Sequence, residues 1–188
     1  ILVEGNAEAQ YLLALRTEVH RITRTPFQLR DLGGKGNLIK RAVEEKRKIS
    51  QHKPAHSEDQ FWLVMDGDVR TEFSQEKLAA ARKAGIRLIV TGPCFEAWLL
   101  AHVIGGMPTA GNSREIIEQL KRKDTTYAKS STEIQKCHRT LQIAGEISRE
   151  CAERYAALER EFGNDLPALL AFNRPFSQMH ILMQEVFG

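Results

Sequence analysis

From Phe61 to Val69 the chain reads FWLVMDGDV, five apolar residues in unbroken succession that run into two aspartates one residue apart. A run that is apolar on both parities of an extended backbone is covered on both faces, which is the condition of a strand inside a parallel sheet. IRLIV, residues 86–90, has the same character, and ILV opens the chain ahead of Glu4 and Gly5. Between these runs the apolar residues change to helical spacing. Tyr11, Leu12, Leu15, Val19 and Ile22 do so within residues 7–22, and Leu38, Ile39, Ala42, Val43 and Ile49 after GGKGN. PFQLRDL reads as a further strand. Ser74 caps a helix from about 75 to 84 with Gly85 as its stop, and CFEAWLLAHV is a short buried helix after the Gly92–Pro93 break. Strands and helices alternating at this spacing argue for βαβ units. The expected fold is α/β, with a mostly parallel four-stranded sheet flanked by helices and a functional edge outside the carboxyl ends of the strands.

After Pro108 the pattern becomes helical. Ser113 to Lys123 is one expected helix. Residues 132–162 place Ile134, Cys137, Leu141, Ala144, Ile147, Cys151, Tyr155, Leu158 and Phe162 three or four apart, as one long amphipathic helix does. Pro175 punctuates a last helical stretch to Phe187. The expected organisation is an α/β core over residues 1–110 and a helical elaboration over 111–188, packed together as one domain. With 188 residues, 42% hydrophobic and 27% charged, the chain can bury a core of ordinary size. A net charge of +3 permits a polyanionic partner without demanding one. Three widely spaced cysteines, Cys94, Cys137 and Cys151, fit reduced thiols in a cytoplasmic protein. The most apolar segment, CFEAWLLAHVIGGM, is too short for a membrane span. No signal-peptide pattern opens the chain, and its start on strand-like residues without Met leads us to expect residues before Ile1.

Asp66 and Asp68 fall on alternate positions, so on an extended backbone they converge, and Gly67 between them leaves room for an ion or a phosphate. Glu4 occupies the matching place after ILV, again followed by glycine. If the two strands are neighbours, three carboxylates meet, and acids so close bind either a proton or a cation. An oxygen-only set with few protein ligands suits Mg²⁺ or Mn²⁺, the ions of phosphodiester hydrolysis. The competing explanation is an ordinary acidic turn at a strand end.

These residues resemble the Toprim arrangement, Glu-Gly after a first strand and Asp-x-Asp after a third. More specifically, the chain resembles the RloB family of Toprim-like proteins over nearly its whole length. VEGNAEAQYLLAL matches an opening Val-Glu-Gly with an acid and an aromatic following, here Val3, Glu4, Gly5, Glu8 and Tyr11. GPCFEAWLLAH is close to that family's Asn-Pro-Cys-Phe-Glu-x-Trp-Leu-Leu-x-His, YAKSS to a Tyr-x-Lys segment, and NRPFSQMH to a closing Asn-Pro segment. Gly92 stands where the family has Asn, and Arg174 intrudes between Asn173 and Pro175. The resemblance implies that Glu4, Asp66 and Asp68 are the metal-binding acids. Glu96 is a candidate fourth acid, and Lys129 a candidate for neutralising charge on the phosphate. Each has a plainer alternative: Glu96 as a first-turn helix acid, Lys129 as a surface lysine.

Glu8 is either a supporting acid or another first-turn acid. His102 lies six residues after Glu96, ~240° around an ideal helix, and reads as a core or hydrogen-bonding histidine. GGKGN lacks the GxxxxGK[ST] frame and reads as a strand-to-helix turn. The basic residues between Arg16 and Lys53 read as a solvated face. By resemblance the function is a Mg²⁺- or Mn²⁺-dependent nuclease acting on DNA or RNA in bacterial phage defence, with an ABC-type or AAA-type ATPase from the same locus as partner. The alternative is a non-catalytic regulatory or scaffolding subunit of such a complex. A homo-oligomer is left open.

Overall fold

The structure is a computed structural model and describes residues 1–22, 27–34, 36–52, 59–109, 111–125, 127, 141–163, 165–172 and 174–187. Five strands form one sheet in the order β2-β1-β3-β4-β5: β1 (Leu2–Val3), β2 (Arg30–Asp31), β3 (Phe61–Asp66), β4 (Ile86–Gly92) and β5 (Phe176–Ser177). The first four are parallel, with Val3 opposite both Asp31 and Val64, and Asp66 opposite Thr91. The sheet therefore has one strand more than expected, because β5 comes from the C-terminal segment and pairs antiparallel to β4, Ser177 opposite Thr91. Two residues are too few to leave a period in the sequence. What fixes them is side-chain bonding: Thr91 Oγ1 and Ser177 Oγ lie 2.9 Å apart, and the Val90 amide donates to Gln178 Oε1 at 2.9 Å. The expected strand over PFQLRDL is real but short, since only Arg30 and Asp31 pair with β1.

Eight α-helices are present among the described residues: α1 (Asn6–Ile22), α2 (Leu38–His52), α3 (Gln75–Lys83), α4 (Glu96–Ile104), α5 (Ser113–Lys123), α6 (Leu141–Phe162), α7 (Leu166–Ala171) and α8 (Met179–Phe187). Both faces of the sheet are covered, as its apolar runs require. Val3, Trp62, Val64 and Ile89 pack with α1, α4, α5 and α8; Leu2, Leu63, Met65 and Val90 pack with α2, α3 and α7. Helix α6 serves both clusters, with Ile147 and Cys151 in the first and Tyr155 and Leu158 in the second. Ser74 caps α3 as expected, accepting from the Lys77 amide. The N-terminal part of the long helix expected over 132–162, with Cys137, lies outside the described residues.

The glycine-rich turn before α2 is a structural turn. Gly33, Gly34, Gly36 and Asn37 all have positive φ, and Arg41 donates to the Leu32 and Gly33 carbonyls at 2.7 and 2.6 Å and also to that of Gly34. The amides of Asn37 and Ile39 at the start of α2 are met by the buried Glu72 carboxylate, at 2.7 and 3.2 Å. The chain thus supplies its own anion at the helix start where a phosphate would otherwise bind. Lys35 lies outside the described residues. Part of the basic run is structural as well: Lys46 Nζ donates to the Ala84 carbonyl at the end of α3, at 2.7 Å.

Candidate functional site

The connection from β1 leads outward to β2, and the next returns past β1 to β3. The gap between β1 and β3 is therefore the point where strand order reverses, and ligands of open α/β sheets bind outside the carboxyl ends there. Glu4 and Asp66 occupy those two ends. The Glu4 amide extends the ladder by donating to the Val64 carbonyl at 3.1 Å, and Glu4 Oε2 accepts from the Asp66 amide at 3.0 Å. Asp66 Oδ1 in turn accepts from the Phe95 amide at 2.7 Å, at the entry to α4. The expected meeting of acids from β1 and β3 is thus present, held by backbone hydrogen bonds.

Two helices add carboxylates to the same place. Helix α1 starts directly after Gly5 and brings Glu8 in its first turn; α4 starts at Glu96, whose Oε1 accepts from the Tyr127 hydroxyl at 2.9 Å. Glu4, Glu8, Asp66 and Glu96 are each at most 5% exposed. Burial, followed by the charges of Glu8, Glu96 and Glu4, pushes the Asp66 carboxyl well above the usual carboxylate range, and only the Phe95 amide pulls the other way. Burial and then Glu96 likewise push up the Tyr127 hydroxyl and the Cys94 thiol. Helix N-termini at α1 and α4 offset part of this negative charge.

Asp68 stands apart from the buried four. The strand ends at Asp66, and Gly67 and Asp68 form a turn, so side chains cease to alternate across the sheet after Asp66. Asp68 is exposed, and its Oδ2 accepts from Ser113 Oγ at 2.9 Å. Gly67 alone separates it from Asp66, which places Asp68 at the rim of the cluster. Gly67 has a different reason from the one its sequence position offers. A Cβ there would lie 2.5 Å from Leu170 Cδ2 and 3.0 Å from the Gly92 Cα, so its missing side chain makes room for α7 and β4. Gly67→Ala is expected to destabilise the fold by about 1–3 kcal/mol, read as a lower midpoint in urea at unchanged slope. Gly92 is explained in the same way, since its Cβ would meet the Phe176 ring at 2.7 Å.

His102 is a core histidine, as expected: its Nε2 lies 3.2 Å from the Tyr11 hydroxyl and its ring meets Trp98 edge-on at 5.0 Å. Lys129 lies outside the described residues. Glu8 matters more than its sequence position indicated, being the first of the charges acting on Asp66. The signal was an acid in the first turn of the helix that leaves a strand ending in Glu-Gly. Cys94 and Tyr127 lie in the family segments GPCFEAWLLAH and YAKSS, but neither was expected to act in the site; Tyr127 lies in a segment without a period.

The donor set fits a hard divalent cation. It consists of carboxylate oxygens, buried and mutually repelling. The nearby Cys94 thiol, with its raised pKa, stays protonated and offers no competing thiolate. Among the described residues no three His, Cys, Asp or Glu side chains are already drawn together as a metal centre, so this is a cluster of acids and not a preformed coordination shell. No helix among them is long and apolar enough to cross a membrane. A family model described as RloB-like protein matches residues 1–186, nearly the whole chain. Neither a curated protein nor a solved structure gives a significant match.

Proposed function

The chain belongs to the RloB-like family, and from that membership we propose that it is a Mg²⁺- or Mn²⁺-dependent phosphodiesterase, a nuclease acting on DNA or RNA in bacterial phage defence. The observation that carries this reading is the direct contact of Glu4 with Asp66 across two neighbouring parallel strands, at the reversal of strand order. Glu4 and Asp66, with Asp68 at the rim, would hold the ion, supported by Glu8 and Glu96. When bound, such an ion neutralises charge on a phosphodiester and acidifies water beside it. The protein's own contribution is orientation. The Asp66 amide fixes Glu4, the Phe95 amide fixes Asp66, Tyr127 fixes Glu96 and Ser113 fixes Asp68. A Toprim-like role, a cytoplasmic location and an ABC-type or AAA-type ATPase partner belong to the same proposal.

One observation favours a second reading, a regulatory or scaffolding subunit without catalysis: the described acids are not yet arranged as a coordination shell. Plasmid, single-stranded DNA and total tRNA incubated in Mn²⁺, with and without the ATPase encoded beside the gene, separate the two. The enzyme reading expects cleavage by the wild type and none by Glu4→Gln. Metal binding by titration calorimetry with no cleavage of any substrate, partner present, establishes the second reading in its place.

A further inference from the structure

We propose that a small cavity beside the acid cluster is a phosphate-binding subsite for a nucleic-acid strand, with Arg70 as its main ligand and Arg174 as its second. The inference rests on the phosphodiesterase reading and gives it a substrate-positioning device. The cavity has a volume of about 120 Å³ and lies where the turn after β3 meets the Gly92–Pro93 corner, the start of α5 and the α7–β5 segment. Its polar lining is Asp68, Arg70, Asn112, Ser113 and Arg174, beside the apolar Leu170 and Phe176. A single water needs only about 10–15 Å³ of such space, so a phosphate group fits.

The charge is right for an anion. Two arginines and one aspartate line it, and the aspartate's carboxylate is already engaged by the Ser113 hydroxyl. Arg70 is placed by backbone geometry: it opens the 3₁₀ turn Arg70–Glu72, and its amide donates to the Asp68 carbonyl at 3.0 Å. Among the described residues its guanidinium has no carboxylate partner. Arg174 is paired with Glu161 at 2.8 Å, but both side chains are about half exposed, and a pair of that kind yields readily to a better anion. The planar fork of an arginine matches two phosphate oxygens at once. Position completes the case. Gly67 and Asp68 in the cavity wall directly follow Asp66, and Pro93 in the wall lies two residues before Phe95, whose amide donates to Asp66 Oδ1. A phosphate held by Arg70 therefore lies next to the buried acids, where positioning of a phosphodiester has value.

The test measures binding, not cleavage. A fluorescent oligonucleotide is titrated in chelator with the full chain as wild type, Arg70→Ala, Arg70→Lys, Arg70→Ala/Arg174→Ala and Glu4→Gln, over a range of salt. Arg70→Ala is expected to raise Kd about tenfold or more and to lower the salt slope by about 1. Arg70→Lys should restore the slope but not the full affinity, and Glu4→Gln, which removes a neighbouring negative charge, should not weaken binding. Arg70 is exposed, so the melting temperature should not move. Preference for a 5′-phosphorylated strand that disappears in Arg70→Ala assigns the subsite to a strand terminus; equal binding of 5′-phosphate and 5′-hydroxyl strands, both weakened by the substitution, assigns it to an internal phosphodiester. If the wild type binds and the arginine variants match it in affinity and salt slope, the subsite is wrong and the enzyme reading stands. A wild type that binds neither DNA nor RNA at low salt overturns both.

Discussion

Asp66→Asn is expected to abolish metal-dependent cleavage and, in chelator, to make the protein more stable. The two results have one cause. Asp66 is buried among Glu8, Glu96 and Glu4, and its folded-state pKa is raised. A carboxyl raised in this way favours the fold only while protonated: its contribution is complete below the unfolded value near 3.9 and is lost as pH rises through the folded value. As pH rises in the absence of a cation, the wild type loses it. Asparagine keeps it at every pH, retains an oxygen for the Phe95 amide, and turns a donor toward the neighbouring acids. A gain of about 1–2 kcal/mol, or a melting temperature higher by about 2–8 °C, is the expected size. The gap should close as pH falls toward 4. Added Mg²⁺ should raise the wild-type melting temperature and leave the variant's nearly unchanged. Cleavage, on the proposed reading, should fall by at least about 10²–10³-fold. Equal melting temperatures in chelator across neutral pH would show that the cluster carries no such repulsion.

That repulsion was only partly legible in the sequence. The strands declared themselves because FWLVMD and IRLIV are apolar on both parities, and a parallel sheet is the structure that needs such runs. Glu4 and Asp66 followed, since a residue just past a buried strand lies at its carboxyl end whatever the rest of the chain does. Strand adjacency, which brings the two together, is a property of topology and has no local mark. Two residues further along, at Asp68, position in the strand no longer decides the outcome. Asp68 looks like a partner of Asp66 only if the backbone stays extended, and the chain turns at Gly67 and Asp68 instead. The members that sequence reading undervalued or missed, Glu8, Cys94 and Tyr127, reach the site from the ends of helices and from an irregular segment. Spacing rules there are silent, because the contact is made by a side chain crossing between elements. The fifth strand was hidden for a related reason, being two residues long and defined by Gln178 and Ser177 bonding to β4.

Glu72→Ala is expected to cost the most stability of any single change discussed, and its effect should spread to the site. Glu72 is fully buried, and its two oxygens serve three donors. Oε1 accepts from the Asn37 amide at 2.7 Å and from Lys77 Nζ at 2.8 Å, while Oε2 accepts from the Ile39 amide at 3.2 Å. Burial alone would raise its pKa, but the Lys77 hydrogen bond, the Ile39 amide, the Lys77 charge and the Asn37 amide outweigh it and hold the carboxyl below its usual value. Alanine leaves two helix-start amides without their acceptor and takes one of two acceptors from the partly exposed Lys77 ammonium, a loss of about 3 kcal/mol. The melting temperature should fall by about 6–12 °C. Because the folded pKa is depressed, the contribution is complete above the unfolded value near 4.3 and disappears as pH falls through the folded value. The difference between wild type and variant should therefore be full at pH 6–7 and shrink in acid. Glu72 also fastens the 3₁₀ turn that carries Arg70, directly after Asp68, to the start of α2. Loss of that anchor should weaken oligonucleotide binding in the variant even at temperatures where it remains folded. A melting temperature within a degree of wild type at pH 7 would mean that water replaces the carboxylate at no cost, and that the glycine-rich turn does not depend on it.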